Sequence, residues 1–174
     1  FAAGADISEF ESTMTTPLAA TQQNDAYEAA LASVEQTSKP VLAMIYGYAM
    51  GGGCGLATAC DLRIAADTAI MGIPAGRLGV VYSVSGTNRL VRLIGVAKTK
   101  EILMSARSIE ASEALRIGLV NHVLPASNLQ DFTYELANQI AQNAPMTVRG
   151  AKLAVKTCLG DATEEEGKEM LRMR

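Results

Sequence analysis

The run Ala49-Met50-Gly51-Gly52-Gly53-Cys54-Gly55-Leu56 lies between an apolar stretch, Val41 to Tyr48, and a helix-forming one, Leu56 to Cys60. Three adjacent glycines remove the side chains from a strand-to-helix junction. Bare N–H groups there are free to point at a ligand, and the helix dipole favours negative charge at that end. A second glycine-containing segment, Phe1-Ala2-Ala3-Gly4-Ala5-Asp6-Ile7, offers another amide. Two amides converging on one oxygen make an oxyanion hole, which stabilises the charge that develops on an acyl oxygen. Glycines after a strand also serve tight turns alone, so this chemistry requires the two segments to meet.

Other chemistry is thinly represented. His122 is the only histidine, which makes a histidine metal site or a Ser-His-Asp triad hard to build. Cys54, Cys60 and Cys158 lack metal-ligand spacing and read as small buried hydrophobes of a reducing compartment. No basic block suggests a nucleic-acid groove, and no apolar run reaches membrane-spanning length.

The elements that position these residues alternate. Asp6 to Pro17 is polar and reads as a loop or short helix. Leu18 to Thr37 reads as an amphipathic helix with Ala26, Ala29, Ala30 and Val34 on its inner face. Lys39-Pro40 stops it, and Val41 to Tyr48 follows as one buried strand. Gly51 to Cys60 reads as helix, with Leu62 to Ala66 and Ala69 to Ile73 as strands. Ser85 to Leu93 and Ala97 to Ser105 read as two helices, and Ile109 to Ala114 opens a third that Gly118 ends. Leu119 to Leu124 is a strand; Leu129 to Gln142 and Met146 to Leu159 are amphipathic helices. With 49% hydrophobic residues over 174 positions, one α/β domain can bury a core.

The motifs follow one another in order: Phe1 to Ile7, Lys39-Pro40-Val41, Gly47 to Cys54, Cys60 to Ala65, Gly86 to Leu90 and Ala114 to Val120. In this order they resemble the enoyl-CoA hydratase/isomerase (crotonase) family, from Phe1 to about Gly160. The resemblance implies a spiral of β-β-α turns over residues 1–125, followed by C-terminal helices over 126–174 that build a homotrimer or dimer of trimers. Family members have strands before the first motif and helices beyond the last, so the chain reads as part of a longer one. A cytoplasmic enzyme of fatty acid metabolism is implied. Its ligand is an acyl-CoA, with no cofactor beyond the coenzyme A of the substrate.

The same resemblance assigns the oxyanion donors to the N–H groups of Ala5 and Gly52. It lines the substrate site with Ala3, Asp6, Ile7, Gly51, Gly53, Gly55 and Ala75. Asp6 also suits a cap for the turn after Ala5. Hydratases of the family carry one glutamate just after the glycine cluster and another after a Gly-x-Pro segment. Here those positions are Gly55 and Ala75, so the usual acid and base are missing.

Tyr82, in Leu78-Gly79-Val80-Val81-Tyr82-Ser83, is the leading replacement, and its surroundings resemble the methylmalonyl-CoA decarboxylase branch. As a half-buried aromatic it would equally suit core packing. Arg77 suits a carboxylate or phosphate contact, or the surface. Asp61 reads as a strand anchor, His122 as a packing residue and Glu164-Glu165-Glu166 as a solvated face. Hydration or isomerisation, decarboxylation and acyl-CoA binding without catalysis all stay open. A serine protease on the same spiral is disfavoured, because no Gly-x-Ser-x-Gly turn is present.

Overall fold

The computed structural model describes residues 1–6, 8, 16–160, 163, 165 and 168. Helix α1, Pro17–Gln36, starts on Thr16, whose hydroxyl accepts the Ala19 amide at 3.1 Å. Its inner face is Tyr27, Leu31 and Val34, whereas Ala26, Ala29 and Ala30 are exposed. The sequence reading of that face therefore holds at Val34 and is corrected at the three alanines. Alanines favour helix without choosing a side, and the larger side chains, with more area to bury, set the rotation.

Two strand-strand-helix units follow. The first is β1 (Leu42–Ile45), β2 (Tyr48–Met50) and α2 (Gly52–Ala59). The second is β3 (Leu62–Ala66), β4 (Ile70–Gly72), a 3₁₀ turn over Pro74–Arg77 and α3 (Val84–Ser105). Strands β1 and β3 pair in parallel in one sheet, while β2 and β4 pair in parallel in another. The stretch Val41 to Tyr48, expected as one strand, is therefore two. The chain changes sheets at Tyr46-Gly47, a step invisible to hydropathy because both strands are apolar.

Strand β5 (Ile109–Glu110) adds to β4 antiparallel, in residues read from sequence as the start of a helix. Helix α4 then occupies Ala111–Arg116, and β6 (His122–Leu124) adds to β3 in parallel. Helices α5 (Ala126–Ala141) and α6 (Pro145–Cys158) complete the described fold. Helix α3 is broken at Gly95, with φ 76° and ψ 167°, matching the two helices expected there.

Alternation along β1 and β3 divides the core. Ala43, Ile45 and Ala65 join a cluster with Cys54, Ala57, Met71, Leu90 and Ile102. Ile64 and Ala66 face the other way and pack with Leu129, Phe132 and Leu136 of α5. The parallel sheet is thus covered on both faces, as such sheets require.

At the far end of α2, Arg63 is 3% exposed. Its Nε donates to the Leu119 carbonyl at 2.8 Å and its Nη1 to the Cys60 carbonyl at 2.6 Å. Burial pulls its pKa down, yet the carbonyls at the helix C-terminus supply the partners a buried cation needs. Asp61 accepts the Val41 amide at 2.7 Å and the Lys152 ammonium at 2.7 Å, anchoring the entry to β1 as expected. Cys54 and Cys60 are buried, but Cys158 is exposed, which corrects the reading of all three as buried.

Candidate active site

The first segment runs beside β2. Ala2 donates to the Tyr48 carbonyl at 2.9 Å and accepts from the Met50 amide at 3.0 Å. The chain then turns at Gly4, where φ is +97°. A Cβ on Gly4 would stand 2.8 Å from the Met50 carbonyl oxygen and 3.1 Å from the Gly52 nitrogen. A Cβ on Gly53 would collide with the Ala2 carbonyl. Glycine at both positions lets the two segments touch backbone to backbone.

Gly51 has φ 52° and ψ −117°, and its amide donates to the Gly72 carbonyl at 2.8 Å. Gly52 then opens α2, which carries no side-chain cap. Among the described residues, the Ala5 and Gly52 amides donate to no backbone carbonyl outside the regular elements. The carbonyl at the other side of Gly52 accepts the Tyr27 hydroxyl at 2.7 Å.

Around Gly55, two phenols meet. A Cβ there would collide with the Tyr27 hydroxyl and stand 3.2 Å from the Tyr82 hydroxyl. Gly86 lets the Tyr82 ring lie against α3, since a Cβ at 86 would come 2.7 Å from the ring. The Ser83 hydroxyl accepts the Gly86 amide at 3.1 Å, capping α3, and donates to Glu28 at 2.6 Å. Arg89 bonds both Glu28, at 3.0 Å, and Glu35, at 2.8 Å.

Burial pushes the Tyr27 phenol up to about 12, and Glu28 adds to the rise. Burial raises the Tyr82 phenol as well, so both stay protonated at neutral pH. Burial opposes ionisation of Glu28, but hydrogen bonds from Ser83, Ser85 and Arg89 hold its carboxyl below the ordinary value. Among the described residues, the Tyr82 hydroxyl has no hydrogen-bond partner.

The family model described as "Enoyl-CoA hydratase/isomerase" matches residues 1–173. The chain belongs to that family. It is 41% identical over 155 residues to the short-chain-enoyl-CoA hydratase of Clostridium acetobutylicum, covering 89% of this chain and 59% of that protein. It resembles the 2,3-dehydroadipyl-CoA hydratase of Escherichia coli at 36% identity, covering 90% of this chain and 60% of the relative. A solved enoyl-CoA hydratase from Bacillus anthracis superposes with a TM-score of 0.87 at 37% identity, over 98% of this chain and 65% of that one. A family member from Hyphomonas neptunium reaches a TM-score of 0.93 at 36% identity, over 98% and 66%. The chain thus spans about 60% of the curated relatives it matches, and its α/β fold is that of the family.

The other residues singled out in the sequence are spread over several elements. Ala3 and Ala5 are exposed on the first segment, and Gly51 and Gly53 flank Gly52. Asp6 is exposed and accepts the Ser8 amide at 2.9 Å, the turn cap expected of it. Ile7 and most of the Glu164-Glu165-Glu166 run lie outside the described residues. Ala75 is half-buried in the 3₁₀ turn and packs on the core cluster that holds Cys54. Pro74, before it, lies 4.0 Å from where a Gly51 Cβ would be. Arg77 is exposed. His122 is exposed and packs on Phe132, ring centroids 4.9 Å apart.

Tyr27 had no signal of its own in the sequence. It is one aromatic on an alanine-rich helix, 25 residues before the carbonyl it meets. Among the described residues, no helix is long and apolar enough to cross a membrane.

Proposed function

We propose that this chain carries the site of an acyl-CoA enzyme that binds the thioester oxygen between the N–H groups of Ala5 and Gly52. The observation behind the reading is the approach of Gly4 to the Gly52 nitrogen, beside an uncapped helix N-terminus. Two preorganised amides stabilise the enolate that forms when the α-carbon gains or loses a substituent, and such stabilisation is worth about 10²–10³ in rate per donor. Ala3, Asp6, Gly51, Gly53, Gly55 and Ala75 line the acyl and thioester path in this reading, with no cofactor beyond the coenzyme A of the substrate.

Gly52→Pro tests this. Proline suits the first position of a helix, removes the amide hydrogen and puts its ring Cδ where that hydrogen pointed. Turnover should fall about 10²–10³-fold with the circular dichroism retained. A folded Gly52→Pro protein working at the wild-type rate would sink the proposal.

A decarboxylase-like reaction is the second reading, favoured by the Tyr82 hydroxyl, which has no partner among the described residues, and by the absence of a carboxylate at 55 and 75. The bond from the α-carbon to the carboxylate breaks, CO₂ leaves, and the electron pair moves to the thioester oxygen. The enolate then takes a proton at the α-carbon. This route needs no strong base, whereas hydration needs one to activate water. Turnover of crotonyl-, malonyl- and methylmalonyl-CoA separates the two, and a protein that binds all three and converts none is a binding protein. The full-length protein should assemble as a homotrimer or dimer of trimers through the helices beyond residue 126. Tyr134, Met146, Val155 and Leu159 expose apolar surface there, and sedimentation as a monomer at micromolar concentration would refute this assembly.

A further inference from the structure

Tyr27 belongs to none of the motifs, yet it touches the glycine cluster at two points. We propose that Tyr27 is a positioning residue of this site: its phenol tethers the first turn of α2 through the Gly52 carbonyl and fills the space that a side chain at 55 would need. With Tyr82 it forms a neutral pair of phenols at that point. The inference rests on the acyl-CoA reading for its catalytic consequence, but not for its steric part.

Three successive glycines have the most backbone freedom to lose on folding. A donor built on them needs a restraint that their own side chains cannot provide. Tyr27 supplies it from another helix. Its single proton is committed to the Gly52 carbonyl at 2.7 Å, and the ring lies 3.5 Å from the position of a Gly52 Cβ. The residue whose N–H is to hold an oxyanion is thus held at its own carbonyl, in the next peptide unit along the chain.

The remaining lone pairs of Tyr27 accept, while the uncommitted Tyr82 hydroxyl donates. A water or a substrate hydroxyl bridging them, donating to Tyr27 and accepting from Tyr82, would be oriented without a charge. The spacing of the pair is braced next door. Glu28, which follows Tyr27, is bonded to Ser83, which follows Tyr82, and Arg89 ties Glu28 to the rest of α1 through Glu35.

The test uses acetoacetyl-CoA, whose dicarbonyl ionises to an ultraviolet-absorbing enolate without any catalytic base. On the full-length wild-type protein its enolate should form at lower pH than in solution. Tyr27→Phe should leave about three- to tenfold less bound enolate at a given pH, the scale of one hydrogen bond, with affinity for free coenzyme A unchanged. An unchanged titration midpoint overturns the tether. A wild-type protein that does not favour the enolate overturns the acyl-CoA reading and the tether's catalytic role together.

A stability cycle decides the steric part without any ligand. Gly55→Glu should lower Tm sharply in the wild type and less in the Tyr27→Phe background, because the colliding oxygen is gone. Equal losses in both backgrounds overturn it.

Discussion

Helix α2 begins at Gly52 with no side-chain cap and ends against a buried arginine. At the C-terminal end, the Cys60 and Leu119 carbonyls both receive N–H groups of Arg63. At the N-terminal end, glycines keep side chains away, and among the described residues the Gly52 amide donates to no backbone carbonyl outside the regular elements. Every helix leaves unsatisfied groups at both ends. This one satisfies those at the end buried in the core and leaves bare those beside the first segment. Partnered carbonyls and bare amides thus lie at opposite ends of one eight-residue helix.

The comparison breaks most completely at the buried end. Arg63→Leu should cost about 3 kcal/mol or more, since it orphans buried carbonyls; the denaturant midpoint reads this, and activity should vanish only as the fold does. Gly53→Ala forces a methyl against the Ala2 carbonyl and should cost about 2–3 kcal/mol while displacing the first segment. Its neighbour supplies the contrast. Gly52→Ala meets only ordinary contacts and should change stability by less than about 1 kcal/mol. A Gly53→Ala protein as stable as Gly52→Ala would show that the first segment does not pack as described.

At the open end, rate and stability should separate. Tyr82→Phe should lower turnover on the best substrate about ten- to a thousandfold, with little change in melting temperature. Unchanged kinetics would return Tyr82 to core packing.

The smallest effect is alkaline. The Tyr27 phenol is raised to about 12 from an ordinary value of 10.0. The unfolded chain therefore loses this proton first. Its contribution to stability is whole below pH 10 and is lost as pH rises toward 12. Denaturation of Tyr27→Phe should accordingly be less pH-dependent than wild type between pH 10 and 12; equal slopes would exclude a buried Tyr27.

Much of this was legible in the residues. The glycine cluster announced the strand-to-helix junction, and most helices fall within a few residues of their expected bounds. The junction at Gly47 was hidden because both strands it joins are buried and hydropathy does not report which sheet a strand enters. The inner face of α1 was misread because alanine carries little burial energy. Tyr27 was missed because its contact with Gly52 is set by how two helices pack, which local spacing does not encode. Likewise the emptiness of position 55 could be read, whereas the oxygen that occupies it could not.

The collision between the Tyr27 hydroxyl and any Cβ at 55 also couples the two positions in sequence change. A side chain acquired at 55 displaces the phenol at 27 or requires its loss, and either outcome disturbs the bond to the Gly52 carbonyl. Ala75 stands apart from this pair, half-buried in the 3₁₀ turn against the core cluster. Sequences that gain a side chain at 55 should therefore change at 27 as well.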